Sequence, residues 1–203
     1  SDLVALVIMA GTALGAVSIR GIQLGAAGIL FAALGLSACG GGSDTPTSVA
    51  VGDTIIVTES NQVASFNRAT PGTQIGTRAI IGLQAGETVS GIDFRPASGL
   101  LYALGSRGNL YTLDAATGRA TFRAQLKAAA GDDNPFTGLL GTQFGVDFNP
   151  VADRLRVVSN TGQNLRINVD TGDTITDGAL TGTNAAGAPV TPTATAAAYT
   201  NSF

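Results

Sequence analysis

The sequence has no histidine, no tryptophan and a single cysteine in 203 residues. Without histidine, the chain cannot form a Ser-His-Asp triad, a Cys-His dyad or an imidazole metal ligand. One cysteine excludes an intrachain disulfide framework and a cysteine-rich zinc site. Charged residues make up only 12% of the chain, and the net charge of −3 argues against binding to nucleic acid, which needs a basic surface. These absences exclude several classes but assign no function.

Charge is scarcest at the N-terminus, where residues 1–39 predict a lipoprotein signal or a membrane segment. Asp2 and Arg20 are the only charged residues there. Two apolar runs, 3–19 and 22–38, each hold 17 residues, and a helix of that length spans about 25 Å, slightly less than a bilayer core of about 30 Å. Arg20, an apolar stretch and then small residues follow the order of a signal peptide. We therefore expect an apolar helical segment that is either cleaved or retained as an anchor.

The single cysteine ends the second apolar run, in the sequence Leu36-Ser37-Ala38-Cys39, which matches the bacterial lipobox. Lipidation at Cys39 would place a diacylglycerol on its thiol and a further acyl chain on its freed amine, which suffices for stable anchoring. The alternative is that Cys39 is only a small residue at a helix end. Residues 40–49 are rich in Gly, Ser, Thr and Pro, which predicts a flexible tether.

The remaining residues, 50–203, predict an all-β domain built from repeats. Short β-rich runs alternate with glycine-bearing turns, at residues 54–58, 100–104, 110–113, 155–159 and 165–168. The sequence of residues 91–96 recurs as residues 145–150, a weaker copy lies at 56–72, and residues 196–203 resemble the first strand of another unit. Repeats of about 40–55 residues with four short strands are typical of β-propeller blades. We expect a β-propeller-like array of about three four-stranded repeats, fewer than the roughly four needed to close.

The recurring motif has a structural interpretation. Its glycines permit close approach of the backbone, its aspartates accept backbone N–H groups in a turn, its phenylalanines point into the core and its prolines end the strand. The motif residues are Gly91, Asp93, Phe94, Pro96, Gly145, Asp147, Phe148 and Pro150. The alternative is that such aspartates ligate Ca²⁺.

Candidates for ligand binding are concentrated in the second full copy. Arg154, Arg156 and Arg166 could bind an anionic group such as a sugar acid or a phosphate, because residues 154 and 156 face the same side of a strand. Three amides in the adjacent turn could hydrogen-bond a glycan, namely Asn160, Gln163 and Asn164. The alternative is a solvated face, in which the arginines pair with Asp153 and Asp170 and the amides only shape the turn.

A loop at 131–135 and a lone glutamate complete the candidates. The loop ends the one predicted helix, over 124–130, and carries Asp132 and Asp133 as weak candidates for calcium. Glu87 has no partner carboxylate that would make it an acid or base of a glycosidase. No serine or threonine lies in a nucleophile elbow. We therefore assign no catalytic residue, expect no cofactor except at most calcium, and favour a protein that is not an enzyme.

Two resemblances to known families accompany these patterns. Residues 91–106, 144–166 and 198–202 resemble, in order, motifs of the bacterial family called domain of unknown function 4394. That resemblance covers roughly residues 50–203 and implies a secreted or surface-anchored, propeller-like domain without an assigned activity. Members of the family usually continue beyond the position of Phe203, so we expect an incomplete array. Residues 15–31 resemble the first helical hairpin of the aspartate–alanine antiporter family, which would imply a membrane hairpin in place of a cleaved signal.

Three functions are compatible with the sequence. The first is a non-catalytic lipoprotein of the bacterial cell envelope, anchored in the outer membrane or at the cell surface, or else secreted, with a binding or structural module. The second is a Ca²⁺-dependent, carboxylate-based hydrolase or lyase on the same scaffold. The third is a membrane-hairpin protein with a transporter-derived N-terminus. Expected partners are the membrane, a glycan or protein ligand, and a second copy through an open sheet edge, but not nucleic acid.

Overall fold

The computed structural model describes residues 46–200, together with short strands at residues 4–7, 18–19 and 22–23. In these residues every regular element is a strand and none is a helix, so the predicted all-β class is confirmed. In chain order the strands are β1 (Val4–Val7), β2 (Ser18–Ile19), β3 (Ile22–Gln23), β4 (Thr54–Val57), β5 (Gln62–Asn67), β6 (Thr70–Ala79), β7 (Val89–Phe94), β8 (Leu101–Gly105), β9 (Asn109–Leu113), β10 (Ala120–Gln125), β11 (Lys127–Ala128), β12 (Phe144–Asn149), β13 (Arg154–Ser159), β14 (Asn164–Ile167), β15 (Asp173–Thr176), β16 (Gly182–Thr183) and β17 (Pro189–Val190).

The predictions for the N-terminus fall almost wholly outside the described residues. The helical signal or anchor over 1–39 and the lipidation site Cys39 both lie there, and only β1, β2 and β3 are placed. Within the described ranges there is no helix with the length and apolar character needed to cross a membrane. The predicted tether, 40–49, is described from residue 46, and Val49 at its end donates a hydrogen bond of 2.9 Å to the carbonyl of Ala116.

The strands form three successive sheets and two small hairpins. The first sheet has the order β1-β4-β5-β6, the second β10-β9-β8-β7, and the third β11-β15-β14-β13-β12. Within each, consecutive strands run antiparallel, except that β1 is parallel to β4 and β11 is parallel to β15. The hairpins are β2-β3 and β16-β17. The described residues form no closed barrel or propeller.

The register of the sheets confirms the sequence repeat. In the second sheet Ile92 lies opposite Ala103, and in the third Val146, 54 residues later, lies opposite Val157. The hairpin turns also agree, because Asn61, Gly108 and Gly162 occupy one position with φ of 54°, 78° and 84°. Only glycine and, less readily, asparagine adopt this left-handed conformation without strain. The five predicted strands are confirmed to within one residue as β4, β8, β9, β13 and β14.

Two apolar layers hold the three sheets together. Between the first and second sheets, Ile55, Val57 and Val63 pack against the side of β8 and β9 that carries Ala103 and Leu113. Between the second and third sheets, the opposite side of β8 and β9 packs against the third sheet; this layer includes Tyr102, Leu104, Leu110, Leu155, Val157, Leu165 and Ile167. All five residues of β8 are therefore buried, so the strand shows a continuous apolar run instead of alternation.

The outer edges of the second and third sheets are each covered by the chain that leaves the preceding sheet. Lys127 and Ala129 donate to the carbonyls of Gly172 and Thr174 at 3.0 Å, and Ile81 bridges Arg119 in the same way one repeat earlier. The helix predicted over 124–130 is therefore wrong, since these residues form the end of β10 and strand β11. Pairing with an open sheet edge satisfies N–H groups that a helix of two turns would have left at its ends, and it outweighs the alanine-rich helix propensity.

Candidate functional site

The aspartates of the repeated motif join one sheet to the next. The carboxylate of Asp93, on β7, accepts a hydrogen bond of 2.7 Å from the N–H of Phe148, on β12. One repeat later, Asp147 accepts a bond of 2.6 Å from the N–H of Tyr199. The predicted role as an acceptor of backbone N–H groups is present, but the bond links neighbouring repeats and does not close a turn within one. Residues 196–199 thus lie against β12 as β12 lies against β7.

The motif glycines explain how these strands approach each other. A Cβ atom at Gly91 would collide with the side chain of Val146, and one at Gly145 would collide with the backbone of residues 196–197. Neither glycine has a positive φ. These positions therefore need glycine because it has no side chain, and not because of its backbone freedom.

Burial raises the pKa of Asp93 to about 7, with the nearby carboxylate of Asp147 adding to the shift and the N–H of Phe148 opposing it. Burial also raises the pKa of Asp147. Two carboxyl groups that share a partly buried site disfavour the doubly ionised state. Near neutral pH this pair can therefore retain a proton, which is the electrostatic property that catalytic acids exploit.

The candidate arginines lie on the side of the third sheet that faces away from the second. We call the surface formed by Arg154, Arg156, Asn164, Arg166 and Asp177 the arginine face. Asp177 binds Arg156 at 2.6 Å and Arg166 at 2.7 and 2.8 Å, and these bonds lower its pKa. Arg156 also donates to Asn164 at 2.7 Å and to the hydroxyl of Tyr199 at 3.0 Å. Three of the six predicted ligand-binding residues, Arg156, Asn164 and Arg166, therefore meet around one carboxylate.

The remaining candidates shape the surroundings of this face. Arg154 donates to the carbonyl of Asp153 at 2.9 Å and lines a cavity of about 210 Å³ with Arg166. Asn160 accepts from the N–H of Thr142, and Gln163 bonds both the N–H of Leu140 and the carbonyl of Gly138. These amides hold the loop 138–142 over a cleft of about 260 Å³, whose wall includes Gln163, Asn164 and Asp177.

The expected pairing of the arginines with Asp153 and Asp170 is wrong, because both carboxylates bind Arg95. Arg95 directly follows β7, and it donates to Asp153 at 2.6 and 2.8 Å and to Asp170 at 2.8 and 2.9 Å. These hydrogen bonds lower the pKa of both aspartates. We call these contacts of Arg95 with Asp153 and Asp170 the Arg95 clamp. The sequence did not predict it. The one signal in the sequence was that Arg95 occupies a motif position that Asn149 takes in the next copy.

The other carboxylates of interest are engaged in hydrogen bonds. Asp132 accepts from the N–H groups of Asn134 and Thr176, at 3.1 and 2.8 Å, and so ties its loop to β15. Glu87 is 3% exposed and accepts bonds from the N–H of Arg107, the amide of Asn109 and the hydroxyl of Tyr111. In the part of the chain that the structure describes, no three acidic or other ligating side chains are grouped so that they could hold a metal ion.

Comparison with known proteins supports the family resemblance that the repeated motifs indicated. No curated protein and no solved structure matches the chain. A family model described as Domain of unknown function (DUF4394) matches residues 62–203, which include both full repeats and the residues of the arginine face. The chain therefore belongs to the DUF4394 family.

Proposed function

We propose that the chain is the precursor of a bacterial envelope lipoprotein whose β-repeats form a propeller-like, non-catalytic binding module. The anchor is argued from the sequence alone, since Leu36-Ser37-Ala38-Cys39 ends an apolar run and precedes a tether. Lipid on Cys39 would hold the module in the outer membrane or at the cell surface.

The recurrent contacts between sheets support the propeller-like arrangement. Propeller blades are four-stranded antiparallel sheets whose first strands gather around a common axis. Here the first strands β7 and β12 lie side by side, and the bond from Phe148 to Asp93 is repeated by Tyr199 and Asp147. A rotation that is repeated from sheet to sheet generates such a circular array.

The proposed binding function rests on a difference between the second and third sheets: the face that is apolar in the second sheet is polar in the third. Tyr102 and Leu110 of the second sheet are buried, whereas their counterparts 54 residues later are Arg156 and Asn164. Burying a charged group costs free energy unless the group is paired. This face, whose arginines pair with Asp177, is therefore better suited to contact with solvent than to packing in an apolar core. The arginine face and its adjoining cleft offer guanidinium and amide donors to a polar ligand, such as a glycan or an acidic group of a protein.

The anchor is tested by expressing the full chain in a bacterial host with radiolabelled palmitate. We expect label on the wild-type chain, cleavage before Cys39 and accumulation of the precursor with globomycin. The Cys39→Ala variant should carry no label, and a Ser43→Ala variant, altered just after the cleavage site, serves as the matched control. A mature chain that keeps residues 1–38 and lacks lipid would contradict the proposal and favour a membrane hairpin.

A carboxylate-based activity is the second candidate, and the carboxyl pair Asp93–Asp147 is the observation that favours it. Such an enzyme would bind calcium stoichiometrically or lose hydrolytic activity in the Asp93→Asn variant. Calorimetric titration of the chelated protein with calcium alone, together with a panel of polysaccharides, separates it from the binding module, for which neither effect is expected.

A further inference from the structure

The loop that leads into β12 is longer than its counterpart one repeat earlier. Ile81 and Lys127 occupy the same edge position at the second and third sheets. Ile81 lies 10 positions before the motif glycine Gly91, whereas Lys127 lies 18 positions before Gly145. The longer loop forms one wall of the cleft of about 260 Å³. Loops of this kind on a rigid scaffold often carry binding residues.

This loop is fixed to the third sheet near both of its ends. The carboxylate of Asp132 accepts the N–H of Thr176 at 2.8 Å. Nearer β12, the amide of Gln163 accepts the N–H of Leu140 and donates to the carbonyl of Gly138, each at 2.9 Å. Gln163 therefore serves mainly to shape the wall of the cleft. A cleft with walls anchored in this way is pre-formed, which lowers the entropy that a ligand loses in ordering it.

Three polar side chains that line the cleft retain hydrogen-bonding capacity. They are the amide of Asn134 and the hydroxyls of Thr137 and Thr176. Asn134 and Thr176 use their backbone N–H groups to bind Asp132, and their side chains make no hydrogen bond with any other described residue. The same holds for the hydroxyl of Thr137. The cleft thus presents neutral groups that both donate and accept.

The charge around the cleft does not favour an acidic ligand. Among the described residues that line it, Asp177 is the one that carries a charge. Asp177 accepts three hydrogen bonds from Arg156 and Arg166, and a carboxylate offers about four acceptor positions, so one remains. Asp132 and Asp133 in the loop add negative charge beside Asn134. The spare acceptor and the surrounding carboxylates therefore suit a neutral ligand that donates hydrogen bonds.

We propose that this cleft binds a neutral, hydroxyl-rich sugar unit of a glycan. The inference rests on the proposed binding function and names the class of its ligand. A sugar hydroxyl can donate to Asp177 and accept from the amide of Asn134. Pro135 and Leu140, the latter 57% exposed, offer apolar surface to the C–H groups of a sugar ring. The volume lies near the lower limit of about 300 Å³ for ligand pockets, which suits a short unit.

Pairs of sugars that differ only at C6 test the preference for a neutral ligand. Glucose and glucuronic acid, and galactose and galacturonic acid, are titrated by ligand-observed NMR into the full chain in a detergent without a sugar head group. We expect at least one neutral sugar to bind at least about tenfold more tightly than its uronic acid, because a carboxylate would face like charges. Tighter binding of the uronic acids, or no binding of any sugar, overturns the inference.

Polyglutamate, titrated in the same way, separates this inference from the proposed function. If polyglutamate or the uronic acids bind and the neutral sugars do not, the binding module stands and only the neutral-sugar inference fails. If neither polyglutamate nor any sugar binds, the binding function fails together with the inference.

Substitutions locate the site. Thr137→Val and Thr176→Val each remove a hydroxyl and should weaken sugar binding about twofold to tenfold. Thr121→Val, at an exposed position of β10, is the matched control and should leave the affinity unchanged.

Filling the cleft provides a test that does not depend on single hydrogen bonds. Ala179 is exposed and lines the cleft, so Ala179→Phe should abolish sugar binding. Ala186→Phe, in the exposed turn between β16 and β17, should have no effect. Circular dichroism checks that each variant keeps its β-structure. Undiminished sugar binding by a folded Ala179→Phe variant would place the sugar elsewhere and overturn the inference.

Discussion

At the scale of single residues, several of the scarce charges form contacts between repeats. Arg95 binds Asp153 and Asp170, which lie 58 and 75 positions further along the chain. Asp93 reaches a backbone N–H 55 positions away. These residues stand out in the sequence because few residues of the chain are charged. Their partners lie so far along the chain that only the packing of the sheets determines them. The predicted pairing of Asp153 and Asp170 with nearby arginines failed for that reason.

The Arg95 clamp should contribute measurably to stability. Its side chain is 13% exposed and makes charge-assisted bonds to two carboxylates, so Arg95→Ala should lower the free energy of unfolding by about 1.5–3 kcal/mol. The exposed pair Arg68–Asp53 provides a control, because Arg68→Ala should cost at most about 1 kcal/mol. Urea denaturation followed by circular dichroism measures both values. Equal losses in the two variants would show that the clamp is only a surface contact.

At the scale of elements, strands and hairpins were predictable because their signals are local. β-branched runs, glycine turns and a 54-residue repeat placed β4, β8, β9, β13 and β14 to within one residue. The failed helix over 124–130 shows the limit of local signals. Its alanines favour a helix in isolation, but the open edge at β15 offers carbonyl groups that accept the N–H groups of Lys127 and Ala129, and sequence patterns do not display such acceptors.

Gly91 should tolerate no side chain, because β7 and β12 approach each other there. The Cβ of Gly91→Ala would collide with Val146, and overpacking of this kind costs about 1–3 kcal/mol. Gly178→Ala is the control, since a Cβ there meets nothing within 4 Å. Thermal unfolding should therefore show a lower midpoint for the first variant and an unchanged one for the second. A midpoint unchanged in both would mean that the two strands separate without cost.

At the scale of the whole molecule, stability should pass through a maximum in mildly acid solution. The pKa of Asp93 is about 7 in the folded chain against 3.8 for an ordinary aspartate, so folding favours its protonated form and this contribution is lost between about pH 4 and 7. The pKa values of Asp153, Asp170 and Asp177 are lowered by arginines, so their contribution is lost as the pH falls below about 4.

The Asp93→Asn variant should lose less stability than the wild type as the pH rises from about 4 to 7. An amide oxygen can still accept the N–H of Phe148, and it carries no charge to be desolvated. We expect the variant to match the wild type near pH 4.5 and to exceed it by about 1–3 kcal/mol at pH 8, measured by urea denaturation across the pH range. Asp114→Asn, in the exposed turn after β9, is the control and should leave the slope unchanged. A wild-type profile without loss of stability between pH 5 and 7 would contradict the proposed proton on this pair.

The sequence by itself determined the all-β class, the repeat, the positions of the hairpins and the catalytic classes that the chain cannot belong to, because composition, turns and alternation are local properties. It also singled out most residues of the arginine face. Only the tertiary structure decided which residues pair, because these contacts depend on how one sheet rotates against the next. They join Asp93 to Phe148, Asp147 to Tyr199, and Arg95 to two distant turns. It likewise decided that the arginines gather around Asp177, because a carboxylate must lie where two strands bring both guanidinium groups within hydrogen-bonding distance.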